Sequence, residues 1–156
     1  MRRGQAVAGF LSLLMLGAGW FPAHAGDSLY GRVTSVKSGD MVTLDYGAGQ
    51  YELRLEGIDV PKEEPYAEEA VRFLSDLVLG KNVRMRFEGR EEDGTMTSRL
   101  YTDDPVLGIK EVNVELVRAG LARRQKDVDF KYGELSAAES EAQNSRRGLW
   151  AADPSR

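Results

Sequence analysis

Residues 41–56 read MVTLDYGAGQYELRLE, two alternating segments joined by a glycine-rich turn. In the second segment Tyr51, Leu53 and Leu55 alternate with charged residues, a period of two that is typical of a β-strand with one buried face. The intervening Gly47-Ala-Gly49 is a hairpin signal. This stretch therefore predicts two antiparallel strands that bury one face against a core.

Three further segments have the alternating pattern of strands. Leu29–Val36 precedes the hairpin and is joined to it by the turn-forming Ser38-Gly39-Asp40. Val83–Phe87 and Thr97–Thr102 come later in the chain, with Gly94 in the turn between them. The sequence thus predicts five strands, of which the first three are adjacent and antiparallel.

Helical periodicity accounts for the segments between and after these strands. From Pro65 to Gly80 the apolar residues recur at i, i+3, i+4 and i+7, and Val112–Ala119 and Phe130–Arg146 predict two more helices. A helix between the third and fourth of five strands is the OB-barrel arrangement. The predicted fold is α+β: a five-stranded OB-fold barrel, one helix between strands 3 and 4, and two C-terminal helices.

The composition limits the chemistry that this chain can perform. The 156 residues include no cysteine and one histidine, His24. Disulfides, thiol nucleophiles and thiolate metal sites are therefore excluded. If His24 is removed with a leader segment, a histidine base or histidine–metal centre is excluded too. Carboxylates, arginine, lysine, tyrosine and the backbone must carry any reaction.

Residues 1–25 have the features of a secretory signal peptide. Arg2-Arg3 is followed by a short apolar run and by Ala23-His24-Ala25, a small-x-small cleavage pattern. The run is shorter than the about 20 apolar residues of a membrane-spanning helix. We expect cleavage near Ala25, one domain over residues 26–156, and export to the periplasm or the medium; an uncleaved anchor is the alternative.

Net charge argues against tight, non-specific binding to nucleic acid. The full chain has 21 basic and 25 acidic residues, and loss of Arg2 and Arg3 leaves 19 basic residues and a formal charge of −6. An acidic protein is repelled by nucleic acid at long range. Local basic patches can override this repulsion.

Several motifs, in order and at matching spacing, resemble those of the thermonuclease (staphylococcal nuclease-like) family. The resemblance runs from about Tyr30 to Trp150, nearly the whole predicted mature chain. It implies an OB-barrel enzyme that cleaves DNA and RNA phosphodiesters with Ca²⁺. The motifs are VKSGDMVTL at 36–44, LRLEGIDVP at 53–61, PYAEEA at 65–70, VNVELVRAGLA at 112–122 and RGLW at 147–150.

The resemblance also implies roles for individual residues. Asp40 and Asp59 would be the carboxylate ligands of Ca²⁺, with the Val60 carbonyl as a third ligand, and Arg54 would bind phosphate. Ca²⁺ prefers such oxygen ligands, and a guanidinium can direct two donors at one phosphate. The alternative is that Asp40 completes a turn, Asp59 caps a strand and Arg54 is a solvated strand residue.

Two positions depart from the family pattern. Lys62 stands where the family has the glutamate that serves as general base, and Thr95 stands where it has a second catalytic arginine. The segment before Pro65 is one residue shorter than the usual pattern, so Glu63 is the candidate for the missing carboxylate. Neither Arg90 nor Arg99 is a convincing replacement for the missing arginine.

A thinner polar shell around the metal ligands follows from two other departures. Met41 replaces the usual threonine after the glycine–aspartate pair, and Ser38 replaces the usual aspartate before it. The first exchange removes a hydroxyl and the second replaces a carboxylate with a hydroxyl, so both thin the polar shell that the resemblance implies around the metal.

Basic residues outside these motifs could line a bound strand. Arg84 and Arg86, and the run Arg123-Arg124-Gln-Lys126, are the candidates, because OB-folds combine basic strips with exposed aromatic side chains. Few aromatic residues neighbour the second run, which favours a solvated face. Tyr101 and Trp150 are interpreted as packing residues.

Three functions remain open on the sequence. The first is an exported protein with a degenerate nuclease site that binds Ca²⁺ or a phosphate-containing ligand, such as single-stranded nucleic acid, with weak or no hydrolysis. The second is an active Ca²⁺-dependent phosphodiesterase with Glu63 as base, and the third is an interaction domain. A positioned base contributes about 10²–10⁴ in rate and an oxyanion-type donor about 10²–10³, which favours the first. We expect a monomer whose mature chain has no membrane span.

Overall fold

The computed structural model describes residues 28–47, 49–105, 108–126 and 133–151. Alternating apolar residues form the strands, and the segments with helical periodicity form the helices. The elements, in chain order, are β1 (Ser28–Ser38), β2 (Met41–Asp45), β3 (Gln50–Leu55), β4 (Ile58–Asp59), α1 (Tyr66–Val78), β5 (Asn82–Arg90), β6 (Met96–Asp104), β7 (Gly108–Glu111), α2 (Val112–Arg118), β8 (Arg123–Arg124), α3 (Gly133–Asn144) and a 3₁₀ turn (Gly148–Trp150).

A closed barrel forms because β3 pairs with two strands. The sheet order is β3-β2-β1-β5-β6-β7, with antiparallel neighbours, and β3 also runs parallel to β6. In this closing pair Leu53 lies opposite Met96, and Leu55 lies opposite Ser98. The predicted five-stranded OB barrel with one helix between strands 3 and 4 and two C-terminal helices is confirmed.

The core fills the barrel and the space beneath its helices. Strand residues at alternate positions turn inward and are almost fully buried, while α1 buries one apolar stripe against β1. On the last helix, Leu135 and Ala138 belong to this core. Representative core residues are Val33, Leu44, Leu53, Leu55, Leu74, Val78, Met85, Leu100, Leu116, Leu135 and Ala138.

Some predictions differ from the structure in extent, and others fall outside it. The short strands β4, β7 and β8 were not predicted, because two to four residues are too few to show an alternating pattern. The last helix begins at Gly133, and the earlier part of its predicted range, like the predicted signal peptide over residues 1–25, lies outside the described residues. Among the described helices, none is long and apolar enough to cross a membrane.

Asn113 joins α2 to the closing edge of the barrel. It is fully buried, and its Oδ1 accepts the Leu100 N–H at 3.1 Å. Its Nδ2 donates to the carbonyl of Glu56 at 2.8 Å and to that of Ser98 at 3.3 Å. One side chain therefore fixes α2, β6 and the turn after β3 relative to one another.

We predict that Asn113→Ala lowers the free energy of unfolding by about 2–4 kcal/mol, because buried groups left without a partner cost about 1–3 kcal/mol each. Urea denaturation measures the change. Asn144→Ala, at an exposed position near the end of α3, is the matched control and should change stability by less than about 0.5 kcal/mol. Equal effects of the two variants would contradict the role given to Asn113.

Candidate active site

A cavity of about 720 Å³ opens at one end of the barrel. Its wall is formed by the turn between β1 and β2, the end of β3, β4 with the segment after it, and the first turns of α1. Its lining includes Lys37, Ser38, Gly39, Asp40, Arg54, Ile58, Asp59, Val60, Pro61, Lys62, Glu64, Ala67, Glu68, Val71 and Gln125. Asp40, Arg54, Asp59 and Val60, which the resemblance implicated, are thus brought to one cavity.

Gly39 allows the β1–β2 turn to lie directly against α1. A Cβ atom at this position would be 2.6 Å from Ala70 Cβ and 2.7 Å from Val60 Cγ1, closer than Cβ atoms are found. The backbone carbonyl of the next residue, Asp40, accepts a hydrogen bond from the backbone N–H of Leu55 at 2.8 Å. Close contact on both sides therefore fixes the backbone that presents Asp40.

Both carboxylate oxygens of Asp40 accept hydrogen bonds within the site. The Ser38 hydroxyl donates to Oδ1 at 2.6 Å, and Arg54 Nη1 donates to Oδ2 at 3.2 Å. The Asp40 side chain is 22% exposed. It is therefore a partly buried acceptor that already has two donors.

Arg54 lies between two carboxylates. Besides its contact with Asp40, its Nε is 2.9 Å from Oε1 of Glu91, in the turn between β5 and β6. The sequence did not single out Glu91 as a site residue; the acidic run Glu91-Glu-Asp93 was its only signal. A phosphate that binds Arg54 must compete with both carboxylates.

Asp59 and Val60 reach the cavity from the short strand β4. Asp59 is exposed and lies opposite Arg123 in the pairing of β4 with β8, while Val60 is buried. Gln125, just after β8, donates from its backbone N–H to the Gly57 carbonyl at 2.9 Å and lines the cavity. The C-terminal part of the chain thus supports the wall that carries Asp59.

The carboxylates fit a calcium ion only in part. Ca²⁺ takes six to eight oxygen ligands, and Asp40 and Asp59 are the two aspartates of the cavity lining. The oxygens of Asp40 are engaged by Ser38 and Arg54. Within the described part of the chain, no group of three or more His, Cys, Asp or Glu side chains is placed to hold a metal.

The segment before α1 and the first turn of α1 together bring a cation and two carboxylates to the cavity. Lys62, Glu64 and Glu68 line it. Glu63 is exposed and does not belong to this lining; its backbone carbonyl accepts the Ala67 N–H at 3.1 Å. Glu64 Oε2 accepts a hydrogen bond from the backbone N–H of Glu68 at 3.2 Å. This carboxylate therefore satisfies one of the free N–H groups in the first turn of α1.

Thr95 is built into the turn between β5 and β6. It is 6% exposed, and its N–H donates to Asp93 Oδ1 at 2.8 Å. The hydrogen bonds from the Thr95 backbone and side chain hold the pKa of the exposed Asp93 carboxyl below its ordinary value. Arg90 Nη1 donates to the Gly94 carbonyl at 2.6 Å. Arg90 is therefore engaged in the same turn.

Arg99 points away from the cavity, toward β7 and α3. Its guanidinium forms a bidentate pair with Glu111, and Nη2 also donates to Glu134 at 3.2 Å. Burial alone would lower the pKa of Arg99, but the hydrogen bonds and charge of Glu111 raise it above its ordinary value. Arg99 does not supply the arginine that position 95 lacks.

In the second basic run, the side chains of Arg123 and Arg124 contact the C-terminal elements. The Arg123 guanidinium lies over the Trp150 ring, 5.2 Å from its centroid, and Arg124 Nε donates to Glu139 Oε2 at 2.9 Å. These contacts agree with the interpretation of Trp150 as a packing residue.

Comparison with known proteins gives one family. The family model described as staphylococcal nuclease homologue matches residues 52–152. An uncharacterized endonuclease of Escherichia coli O157:H7 is 32% identical over 130 residues, which cover 81% of this chain and 80% of that protein. A thermonuclease of Staphylococcus hyicus is 28% identical over 137 residues, or 82% and 79% of the two chains. An uncharacterized endonuclease of Haemophilus influenzae is 32% identical over 122 residues, or 77% and 65%.

We predict that Glu91→Gln strengthens binding of inorganic phosphate to the cavity by about two- to fivefold, because an exposed ion pair is worth up to about 1 kcal/mol. Isothermal titration calorimetry at low salt measures the effect. Glu92→Gln makes the same charge change at the adjacent exposed position and should alter affinity less. An equal gain in both variants would mean that net charge, rather than release of Arg54, is responsible.

Proposed function

This chain belongs to the staphylococcal nuclease homologue family, and from that premise we propose that it binds single-stranded nucleic acid through its cavity and hydrolyses it weakly or not at all. The relatives named endonuclease and thermonuclease support a nucleic-acid ligand. The low rate of hydrolysis is likewise proposed, and its support comes from the residues of this cavity.

One observation carries the proposal: the cavity keeps an arginine that can bind phosphate, while the positions that the resemblance assigns to the general base and the second arginine hold Lys62 and Thr95. Arg54 lines the cavity with its side chain 37% exposed, so its guanidinium can reach a phosphodiester. Lys62 stands at the position that the resemblance assigns to the general base, and a lysine ammonium group donates hydrogen bonds and has no lone pair with which to accept a proton. Thr95, at the position of the second arginine, is buried and carries no charge.

Binding is expected to be moderate and sensitive to salt. Arg54, Lys37 and Lys62 attract a phosphate, but four carboxylates line the same cavity. Mixed charge of this kind reduces the attraction that a purely basic groove would provide. A phosphate must also replace Asp40 or Glu91 as the partner of Arg54.

We also propose that the cavity binds Ca²⁺ weakly. Asp40, Asp59 and the Val60 carbonyl are the groups that would hold it, and a bound cation would polarise the phosphate. Because Arg54 and Ser38 already donate to Asp40, cation binding requires that carboxylate to exchange its partners. The export predicted from residues 1–25 is likewise part of this proposal.

An active Ca²⁺-dependent phosphodiesterase is the second candidate, favoured by the names of the relatives. It requires a carboxylate that can accept a proton from water. Glu63 is the residue predicted from the sequence, and Glu64 lines the cavity in the structure. Separate Glu63→Gln and Glu64→Gln variants distinguish the two.

We predict that the purified protein binds a labelled single-stranded oligonucleotide in chelator and shows no robust cleavage of DNA or RNA when Ca²⁺ is added. Anisotropy measures the binding, and gel electrophoresis measures the cleavage. Arg54→Gln should weaken binding. Chelator-sensitive cleavage that disappears in Glu63→Gln or Glu64→Gln would reject this proposal in favour of the active enzyme.

We further predict that Lys62→Glu combined with Thr95→Arg creates Ca²⁺-dependent cleavage at least about 10²-fold above the parent, because a base and a cationic donor each contribute about this much. The control is Lys62→Gln with Thr95→Lys, which removes the same lysine and adds a cation without a carboxylate. Circular dichroism confirms that both double variants fold. If they fold and cleave equally poorly, these two positions do not explain a low rate.

A further inference from the structure

We propose that the outer face of β1, β5 and β6 is a second contact surface for a single strand of nucleic acid. It consists of Tyr30, Arg84, Arg86 and Tyr101, and is called here the tyrosine–arginine face. None of these residues belongs to the lining of the cavity. The chemical class of the ligand rests on the proposed function, while the surface is argued from its own geometry.

Strand register places three of these side chains in one row, and Arg86 lies two residues further along β5. Tyr30 of β1 lies opposite Arg84 of β5, and Arg84 lies opposite Tyr101 of β6. The residues on either side of Arg84, Val83 and Met85, are 2% and 1% exposed and fill the barrel. Because side chains alternate along a strand, Arg84 lies on the outer face.

The row presents flat groups on which bases can stack. Tyr30 is 68% exposed, which is high for a large aromatic side chain. The Arg84 guanidinium lies over the Tyr101 ring at 4.4 Å from its centroid, beside the exposed ring of Tyr30 in the next strand. Proteins bind unpaired bases by stacking them on aromatic rings and on guanidinium planes.

The spacing of the row suits a short single strand. Neighbouring strands lie about 4.8 Å apart, so three adjacent positions span about 10 Å. Stacked bases rise about 3.4 Å each along one strand of a duplex. Measured from first to last position, the row therefore has the length of about four stacked nucleotides.

The charge of this face is positive where the ring contacts lie. Among the described residues, Arg84 has no carboxylate partner. Arg86 is 45% exposed, and its partner Glu88 is only 3% exposed, so the cation faces solvent and the carboxylate does not. On the far side Glu111 of β7 lies opposite Tyr101, and its carboxylate is paired with Arg99 of β6.

Position along β1 separates this face from the cavity. Tyr30 is eight residues before Ser38, the last residue of the strand, and a strand rises about 3.3 Å per residue. The face and the cavity are thus different parts of the barrel, and each can be altered without changing the other.

The test is anisotropy of a fluorescein-labelled 15-nucleotide oligo(dT) with the purified protein in chelator, over a range of salt. Tyr30→Ala should weaken binding by about fivefold or more, whereas Tyr30→Phe, which keeps the ring, should bind like the parent. Arg84→Gln and Arg86→Gln should each reduce the slope of log affinity against log salt by about 0.7. Arg72→Gln, an exposed arginine on α1, is the control for lost charge.

The outcomes separate this inference from the proposed function. Weaker binding in Arg54→Gln but not in Tyr30→Ala would overturn the inference and leave the proposed function standing. The reverse result would support the face and overturn the cavity as the site of binding. No binding by the parent, or an Arg72→Gln effect equal to that of Arg84→Gln, would also overturn the inference. Unchanged unfolding midpoints confirm that the variants remain folded.

Discussion

The pairing of β3 with β6 is the interaction on which the rest of the structure depends. It closes the barrel, and it places Arg54, at the end of β3, beside the turn that carries Glu91. Asn113 stabilises the closed barrel because its Nδ2 donates hydrogen bonds to the carbonyls of Glu56 and Ser98. Its amide connects backbone groups that are far apart in sequence, and so ties the docking of α2 to the closed edge of the barrel. Without that closure, the turn that carries Glu91 would not lie beside Arg54.

Electrostatics determine what this cavity can do. Arg54 is the cation best placed for a phosphate, yet Asp40 and Glu91 already neutralise it. Lys62 adds positive charge at a position where hydrolysis needs a proton acceptor. In the proposed function, these features favour reversible association of an anion over its chemical conversion. Asp40 would link the proposed Ca²⁺ site to the phosphate site, because it is the expected metal ligand and also accepts a hydrogen bond from Arg54.

Sequence patterns predict the fold better than they predict the site. Alternation and helical periodicity identify the five barrel strands and the helices, since burial of one face has a regular period. Motifs also place Asp40, Arg54, Asp59 and Val60 together. The ion pair of Arg54 with Glu91 leaves no periodic signal in the sequence, because it joins a strand to a turn that is far from it along the chain. Cross-strand rows such as Tyr30 with Arg84 depend on register, which no single segment specifies.

Gly39 has a consequence for the durability of the cavity. The turn that presents Asp40 packs directly against Ala70 of α1 with no side chain between them, so this wall of the cavity is also the surface on which α1 packs. Any loosening of this helix, even with all barrel strands intact, would deform the cavity first. The shape of the cavity therefore depends on how firmly α1 is docked against the β1–β2 turn.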